Sequence, residues 1–312
     1  MLVELYAQTD VGRVRQANED NFLVLDLASG GSWSGSDTIK EPPDNFRRFE
    51  VGDDGLVLIV SDGMGGALAG DVASRMAVES VREMLTEEES EHKTDGQDAK
   101  VSLVDCLRNA TGYANYAIHR KSLEDPRCSG MGATLTAAAI AGHSMDFVQV
   151  GDSRAYVIRG DEIKLATKDQ SLVQQLVDVG QITEEDAETH MFRNVILQAL
   201  GAQSDLTPVL SRVRLQRGDL MLLCSDGLSG KMRAEEMLQI VAESKGDLAA
   251  ACDALVKEAN KRGGEDNITV VLARFDGEDL PASAPDPITV ELAALEDDKT
   301  LSGTEDDTSP IP

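Results

Sequence analysis

Apolar positions fall into two patterns along this chain. Short runs rich in Val, Ile, Leu and Ala, bounded by Gly, Asp or Ser, occur at 2–9, 22–27, 56–61, 133–141, 145–150, 155–159, 209–215, 220–224 and 268–275. They predict strands. Segments 71–85, 101–121, 171–179, 234–244 and 248–262 predict helices; in the last, Leu248, Ala251, Cys252, Leu255 and Ala259 form one helical stripe. Ala141 to Met145 and Val150 to Ala155 leave too few residues for a helical crossover, so these strands should pair antiparallel through hairpins. Two main helical blocks around many hairpins predict helices covering antiparallel sheets.

Two segments break the pattern. Residues 28–54 are rich in Gly, Ser, Pro and Asp and read as a long surface loop between strands. Residues 277–312 hold ten acidic residues and one Lys, no aromatic residue, and read as a disordered acidic tail. The folded domain is therefore expected over 1–276.

Composition narrows the functions available. The 312 residues carry 29 Lys+Arg against 56 Asp+Glu, a net charge of -27. Such a chain repels nucleic acid phosphates and anionic membranes, so neither is an expected partner. The N-terminal residues lack the charge and apolar run of a signal peptide, and no apolar stretch reaches membrane-spanning length. Cys106, Cys128, Cys224 and Cys252 form no CxxC pair, as expected of reduced thiols in a cytoplasmic protein.

The informative residues are carboxylates at strand ends. Asp62 lies in Val60-Ser61-Asp62-Gly63, Asp152 in Val150-Gly151-Asp152-Ser153, and Asp226 in Cys224-Ser225-Asp226-Gly227. Asp266 precedes the strand at 268–275, and Glu19-Asp20 precedes the one at 22–27. A single Asp-Gly is a common turn pair. Five acidic segments at strand ends form a pattern, and carboxylates so gathered repel one another unless a cation joins them. His92, His119, His143 and His190 form no ligand-spaced pair, so an all-oxygen site for Mg²⁺ or Mn²⁺ is expected rather than zinc. Arg15, in RVRQANED, is the candidate for gripping phosphate oxygens, and the Gly63 carbonyl is a candidate metal ligand. The glycine turn after Val60 imitates a dinucleotide cradle. However, GxGxxG starting at Gly63 ends on Leu68, and Asp62 would repel a pyrophosphate.

Six motifs in order carry a family resemblance: TDVG with RVRQANED, VSDGMGGALAGDVAS, MGATL, VGDSRAYVIRGDEI, LCSDGL and GGEDNITVV. With them the chain resembles the bacterial form of the metal-dependent serine/threonine protein phosphatases of type 2C. The resemblance implies an α+β fold, a four-layer α-β-β-α sandwich of two antiparallel sheets flanked by helix pairs. It implies hydrolysis of phosphoserine and phosphothreonine in proteins by a metal-bridged water, with Asp62 bridging two Mn²⁺ or Mg²⁺ ions. Asp226 and Asp266 would complete the first ion's shell, and Gly63, Glu19 and Asp20 would serve the second. Asp152 with Asp226 matches a third, weaker metal position, and Arg15 matches the phosphate-binding arginine. Residues 165–200 match a mobile flap. The implied partners are phosphorylated proteins, Ser/Thr protein kinases and their targets, and a monomer is expected. Two positions depart from the pattern: Gln170 stands where many members have His, and Met64 where animal members have His. The rival reading is a catalytically weak signalling or scaffold module on the same fold. Thr300 and Thr304, in the tail, are candidate kinase targets.

Overall fold

The computed structural model describes residues 1–37, 42–66, 69–92, 101–284 and 286–292. In chain order the strands are β1 (Leu2–Asp10), β2 (Asp20–Asp26), β3 (Gly31–Ser34), β4 (Arg48–Glu50), β5 (Leu56–Met64), β6 (Gly132–Ala133) and β7 (Leu135–Ala141). They continue with β8 (Ser144–Val150), β9 (Arg154–Arg159), β10 (Glu162–Leu165), β11 (Val209–Arg214), β12 (Leu220–Cys224), β13 (Ile268–Asp276) and β14 (Val290–Leu292). The helices are α1 (Asp44–Arg47), α2 (Ala69–His92), α3 (Leu103–Glu124), α4 (Leu172–Asp178), α5 (Glu184–Thr189), α6 (Asp226–Ser229), α7 (Ala234–Glu243) and α8 (Leu248–Lys261). One sheet runs β10-β9-β12-β13-β1-β4, the other β14-β11-β8-β7-β5-β2-β3 with β6 against β5. The pairings within both are antiparallel.

The period-two alternation of the strands builds the layers. On β5, Leu56, Leu58 and Val60 enter the core between the sheets, while Val57 and Ile59 face α2 and α3. On β13, Val271, Ala273 and Phe275 point between the sheets, while Ile268, Val270 and Leu272 pack under α7 and α8. The stripe foreseen on α8 is the buried one: Leu248, Ala251, Cys252, Leu255 and Ala259 all lie in that third cluster. The expected α-β-β-α sandwich is the observed fold. Among the described residues no helix is long and apolar enough to cross a membrane.

Both segments set aside as irregular contain structure. Within 28–54 lie β3, α1 and β4, with Trp33 and Phe46 buried between the sheets. Trp33 stacks edge-on against Phe22 at 4.8 Å between ring centroids. Single aromatic residues among Gly, Ser and Asp anchor this excursion but give no periodic signal. The disordered tail expected from 277 onward is likewise corrected. Residues 277–292 continue onto the sandwich, where Leu280 and Ile288 are buried between the sheets and β14 pairs with β11. Ile288 also bridges to the other sheet at β10, accepting from Lys164 Nζ at 3.0 Å and donating to Glu162 Oε2 at 3.1 Å. The expected boundary at 276 therefore lies inside the packed structure, because two isolated apolar residues are enough to hold a strap that the acidic composition concealed. The rest of the expected tail, with Thr300 and Thr304, lies outside the described residues. Replacing Ile288 by Ala should cost about 2–5 kcal/mol of unfolding free energy, the usual loss for a fully buried isoleucine. Urea denaturation measures it, and an unchanged midpoint would return 277–292 to the status of a tail.

Candidate metal centre

Strand register gathers the expected carboxylates at one end of the sandwich. Asp20 opens β2 directly opposite Asp62 near the end of β5. Across the other sheet, Cys224 at the end of β12 pairs with Val270 near the start of β13 and with Arg154 at the start of β9. Asp226, Asp266 and Asp152 are therefore brought out at the same end. Arg15 lies in the β1–β2 loop above them and donates from Nη2 to Asp266 Oδ2 at 2.8 Å. Gly63 and Glu19 meet at Gly70. A Cβ on Gly70 would come within 2.2 Å of Glu19 Oε2 and 2.9 Å of the Gly63 carbonyl oxygen, so one glycine holds both oxygens close. Gly63 itself admits no side chain, since a Cβ there would lie 2.0 Å from the Gly70 oxygen.

These carboxylates are under electrostatic stress. Burial, followed by repulsion from Asp20, Asp226, Asp152 and Asp266, holds the Asp62 carboxyl well above the usual carboxylate range. Burial and then Asp226 do the same to Asp152. Asp20 is pushed up to about 7 by burial, against two hydroxyls that donate to its Oδ2, Ser225 and Thr269, each at 2.7 Å. Asp226 is pushed up to about 6 by burial and then by Asp266. Burial also raises Glu19, while Arg15 opposes the rise.

The donor chemistry fits a hard divalent cation. Asp20 Oδ1, Asp152 Oδ1 and Asp226 Oδ1 are buried without a hydrogen-bond partner. Orphaned carboxylate oxygens of this kind are costly, and a cation satisfies them together. The gathering stops short of a closed coordination shell: among the described residues no three His, Cys, Asp or Glu side chains surround a single ion-sized point. The adjoining groups are instead engaged with Arg15, Ser225 and Thr269.

Several residues that hold the site carried no metal-like signal in the sequence. Thr134, fully buried beside β5, accepts the Asp62 amide on its hydroxyl at 2.9 Å and returns its own amide to the Asp62 carbonyl at 2.8 Å. The same hydroxyl bonds Ser153 Oγ at 2.8 Å, joining the Asp62 strand to the Asp152 turn. Asn267 accepts the Glu19 amide at 2.8 Å and donates to the Val11 and Ala17 carbonyls at 3.0 Å, fixing both ends of the loop that carries Arg15. The first of two threonines in the run after MGA, and an amide directly after Asp266, were the available hints.

Comparison with known proteins places these observations in context. The protein phosphatase 2C family model matches residues 42–272. The serine/threonine phosphatase stp of Listeria monocytogenes is 36% identical over 269 residues, covering 86% of this chain and 94% of its own. The protein phosphatase PhpP of Streptococcus pneumoniae is 37% identical over 227 residues, covering 72% and 87%. The crystal structure of the Mycobacterium tuberculosis serine/threonine phosphatase PstP/Ppp superposes with a TM-score of 0.69 at 32% identity, covering 89% of this chain and all of that one. The PstP catalytic domain in complex with 2 manganese ions superposes at 0.67 with 31% identity, again over 89% of this chain and 100% of that one.

Proposed function

The chain belongs to the protein phosphatase 2C family, and from that premise we propose how its own residues carry out the family's metal-dependent dephosphorylation of serine and threonine. It is a protein-serine/threonine phosphatase that uses divalent metal. The observation that carries the residue assignment is the set of buried, unpartnered carboxylate oxygens on Asp20, Asp152 and Asp226, clustered around Asp62. Asp62, repelled by every other aspartate of the cluster, would be shared between two ions. Asp226 and Asp266 would hold one of them with it; the Gly63 carbonyl with Glu19 and Asp20 would hold the other. Asp152 and Asp226 would hold a third, weaker ion. Mn²⁺ or Mg²⁺, the hard cations suited to oxygen donors, would supply Lewis-acid polarisation of the phosphoryl group and an acidified water.

The chain's own groups do the positioning. Arg15, half exposed and tethered to Asp266, grips phosphoryl oxygens and turns the phosphorus toward the cluster. Asp20, steadied by Ser225 and Thr269, keeps its free oxygen aimed inward. Thr134 and Asn267 hold the two backbone segments that present Asp62 and Glu19. In the cell we place the protein in the cytoplasm as a monomer, acting on the targets of Ser/Thr kinases and on the kinases themselves.

Purified protein with Mn²⁺ should release phosphate from phosphothreonine peptides and stop on chelation; no release under any divalent cation would overturn the reading. Arg15→Ala should lower kcat/KM about 10- to 100-fold, the worth of one or two charge-assisted hydrogen bonds. Lys at the same position should recover part of that loss. Steady-state kinetics on a phosphopeptide checks both, and an unaffected kcat/KM would remove Arg15 from the site.

A further inference from the structure

Residues 169–171 join the metal-binding end to the flap. Gln170 is buried, and its three polar contacts run to two different places. Its side-chain Oε1 accepts the Gly151 amide at 2.7 Å, and its own amide donates to the Gly151 carbonyl at 3.0 Å. Its carbonyl accepts the Leu197 amide at 2.9 Å, at the far end of the flap. One residue therefore closes the base of the flap and clasps both polar groups of the residue before Asp152. The neighbours strengthen the clasp. Asp169 pairs with Arg154 at 2.7 Å and accepts the Ser171 amide at 2.8 Å, and Leu172 donates to the Val195 carbonyl at 2.8 Å.

The turn on the other side of the clasp is rigid. Gly151 sits at φ +96°, and a Cβ there would lie 2.7 Å from Thr134 Cγ2, so this backbone admits no other residue. Ser153 bonds Thr134, which holds the Asp62 amide. Hydrogen bonds and the short Gly151–Ser153 backbone thus lead from Asp62 through Thr134 and Ser153 to the Gly151 turn, to Gln170 and on to Leu197.

We infer that Gln170 is a positioning residue that couples the flap base to the Asp152 turn, so that ion binding at Asp152 orders residues 171–197 and an ordered flap tightens ion binding there. The reciprocity is thermodynamic: whatever one event contributes to the other is returned. The metal half of the inference rests on the proposed ligand role of Asp152. The mechanical tie between turn and flap does not. The side chain matters because the Gly151 amide points at Oε1, and an apolar residue of similar size would leave that amide without an acceptor.

Hydrogen exchange on the full chain, stripped of metal and then saturated with Mn²⁺, tests this together with Mn²⁺ binding followed by electron paramagnetic resonance. In the native sequence Mn²⁺ should slow exchange over 171–197 by about tenfold, within the usual range of coupling energies. Gln170→Leu should reduce that slowing to less than about threefold and weaken the weakest Mn²⁺ site by about the same factor. It should leave the slowing at β5 and β13 intact, and Gln170→Glu, which keeps the acceptor, should restore the flap response. A Gln170→Leu protein whose flap responds to Mn²⁺ as the native one does overturns the inference. So does a uniform loss of protection across the molecule, which marks a purely structural residue. Asp152→Ala separates the two layers. If it leaves the Mn²⁺ count unchanged, the ligand role of Asp152 fails. The tie is then judged by metal-free exchange alone: faster over 171–197 in Gln170→Leu supports it, and no difference refutes it.

Discussion

Asp62→Asn should abolish turnover by about a thousandfold or more and, in the metal-stripped protein, raise the melting temperature. The two effects share one cause. Asp62 is repelled by Asp20, Asp226, Asp152 and Asp266. With cations bound, its charge joins them, and the several kcal/mol of transition-state stabilisation that metals supply correspond to about three decades of rate. Without cations, the same charge is an uncompensated burden. An Asn side chain removes the charge and offers an N–H to Asp226, which should return about 1–3 kcal/mol. At roughly 2–4 °C per kcal/mol for a domain of this size, calorimetry resolves the gain. Loss of activity together with lower stability would mean that Asp62 is a structural residue.

The second large effect is on stability as pH and metal vary. Burial pushes Asp20 up to about 7 and Asp226 up to about 6, and raises Asp62 and Asp152 as well. In the unfolded chain these groups return to about 3.9. Between about pH 4 and 7 the folded, metal-free protein therefore holds more protons than the unfolded one. Its stability is fullest at the acid end of that window and falls as pH rises through it. Mn²⁺ reverses the trend, because ions bind the deprotonated cluster. At a hundredfold excess over Kd each site adds about 2.7 kcal/mol, or roughly 5–10 °C. The Mn²⁺-induced shift should be larger at pH 7.5 than at pH 5.5. Scanning calorimetry at both values checks it, and equal shifts would place Mn²⁺ on surface carboxylates instead.

Much of this was written in local sequence. The apolar runs 56–60 on β5, 220–224 on β12 and 270–273 on β13 read as strands because nothing polar interrupts them. The clustered aspartates were legible because each lies at one end of an apolar run: Asp62, Asp152 and Asp226 follow one beside a small turn residue, and Asp20 and Asp266 precede one. What escaped was set by tertiary register. β3, β10 and β14 are three or four residues long; β14 pairs with β11 over three residues, and Ile288 just before it hydrogen-bonds to β10 in the other sheet. Thr134, Asn267 and Gln170 are ordinary residue types whose roles exist only once distant segments meet. The departure at Gln170, met in the sequence only as a missing histidine, is a residue bonded to both the Gly151 turn and Leu197.

The central claim is that the Asp62 cluster binds the ions at which phosphate is released. It is tested most directly by titrating Mn²⁺ into chelator-stripped protein while following bound ions by electron paramagnetic resonance and phosphate release from a phosphothreonine peptide in the same sample. Release should be absent without metal and rise with occupancy of at least two ions per chain, and Asp62→Asn should lose both. Phosphate released by the stripped protein, or full ion binding retained by Asp62→Asn, would contradict it.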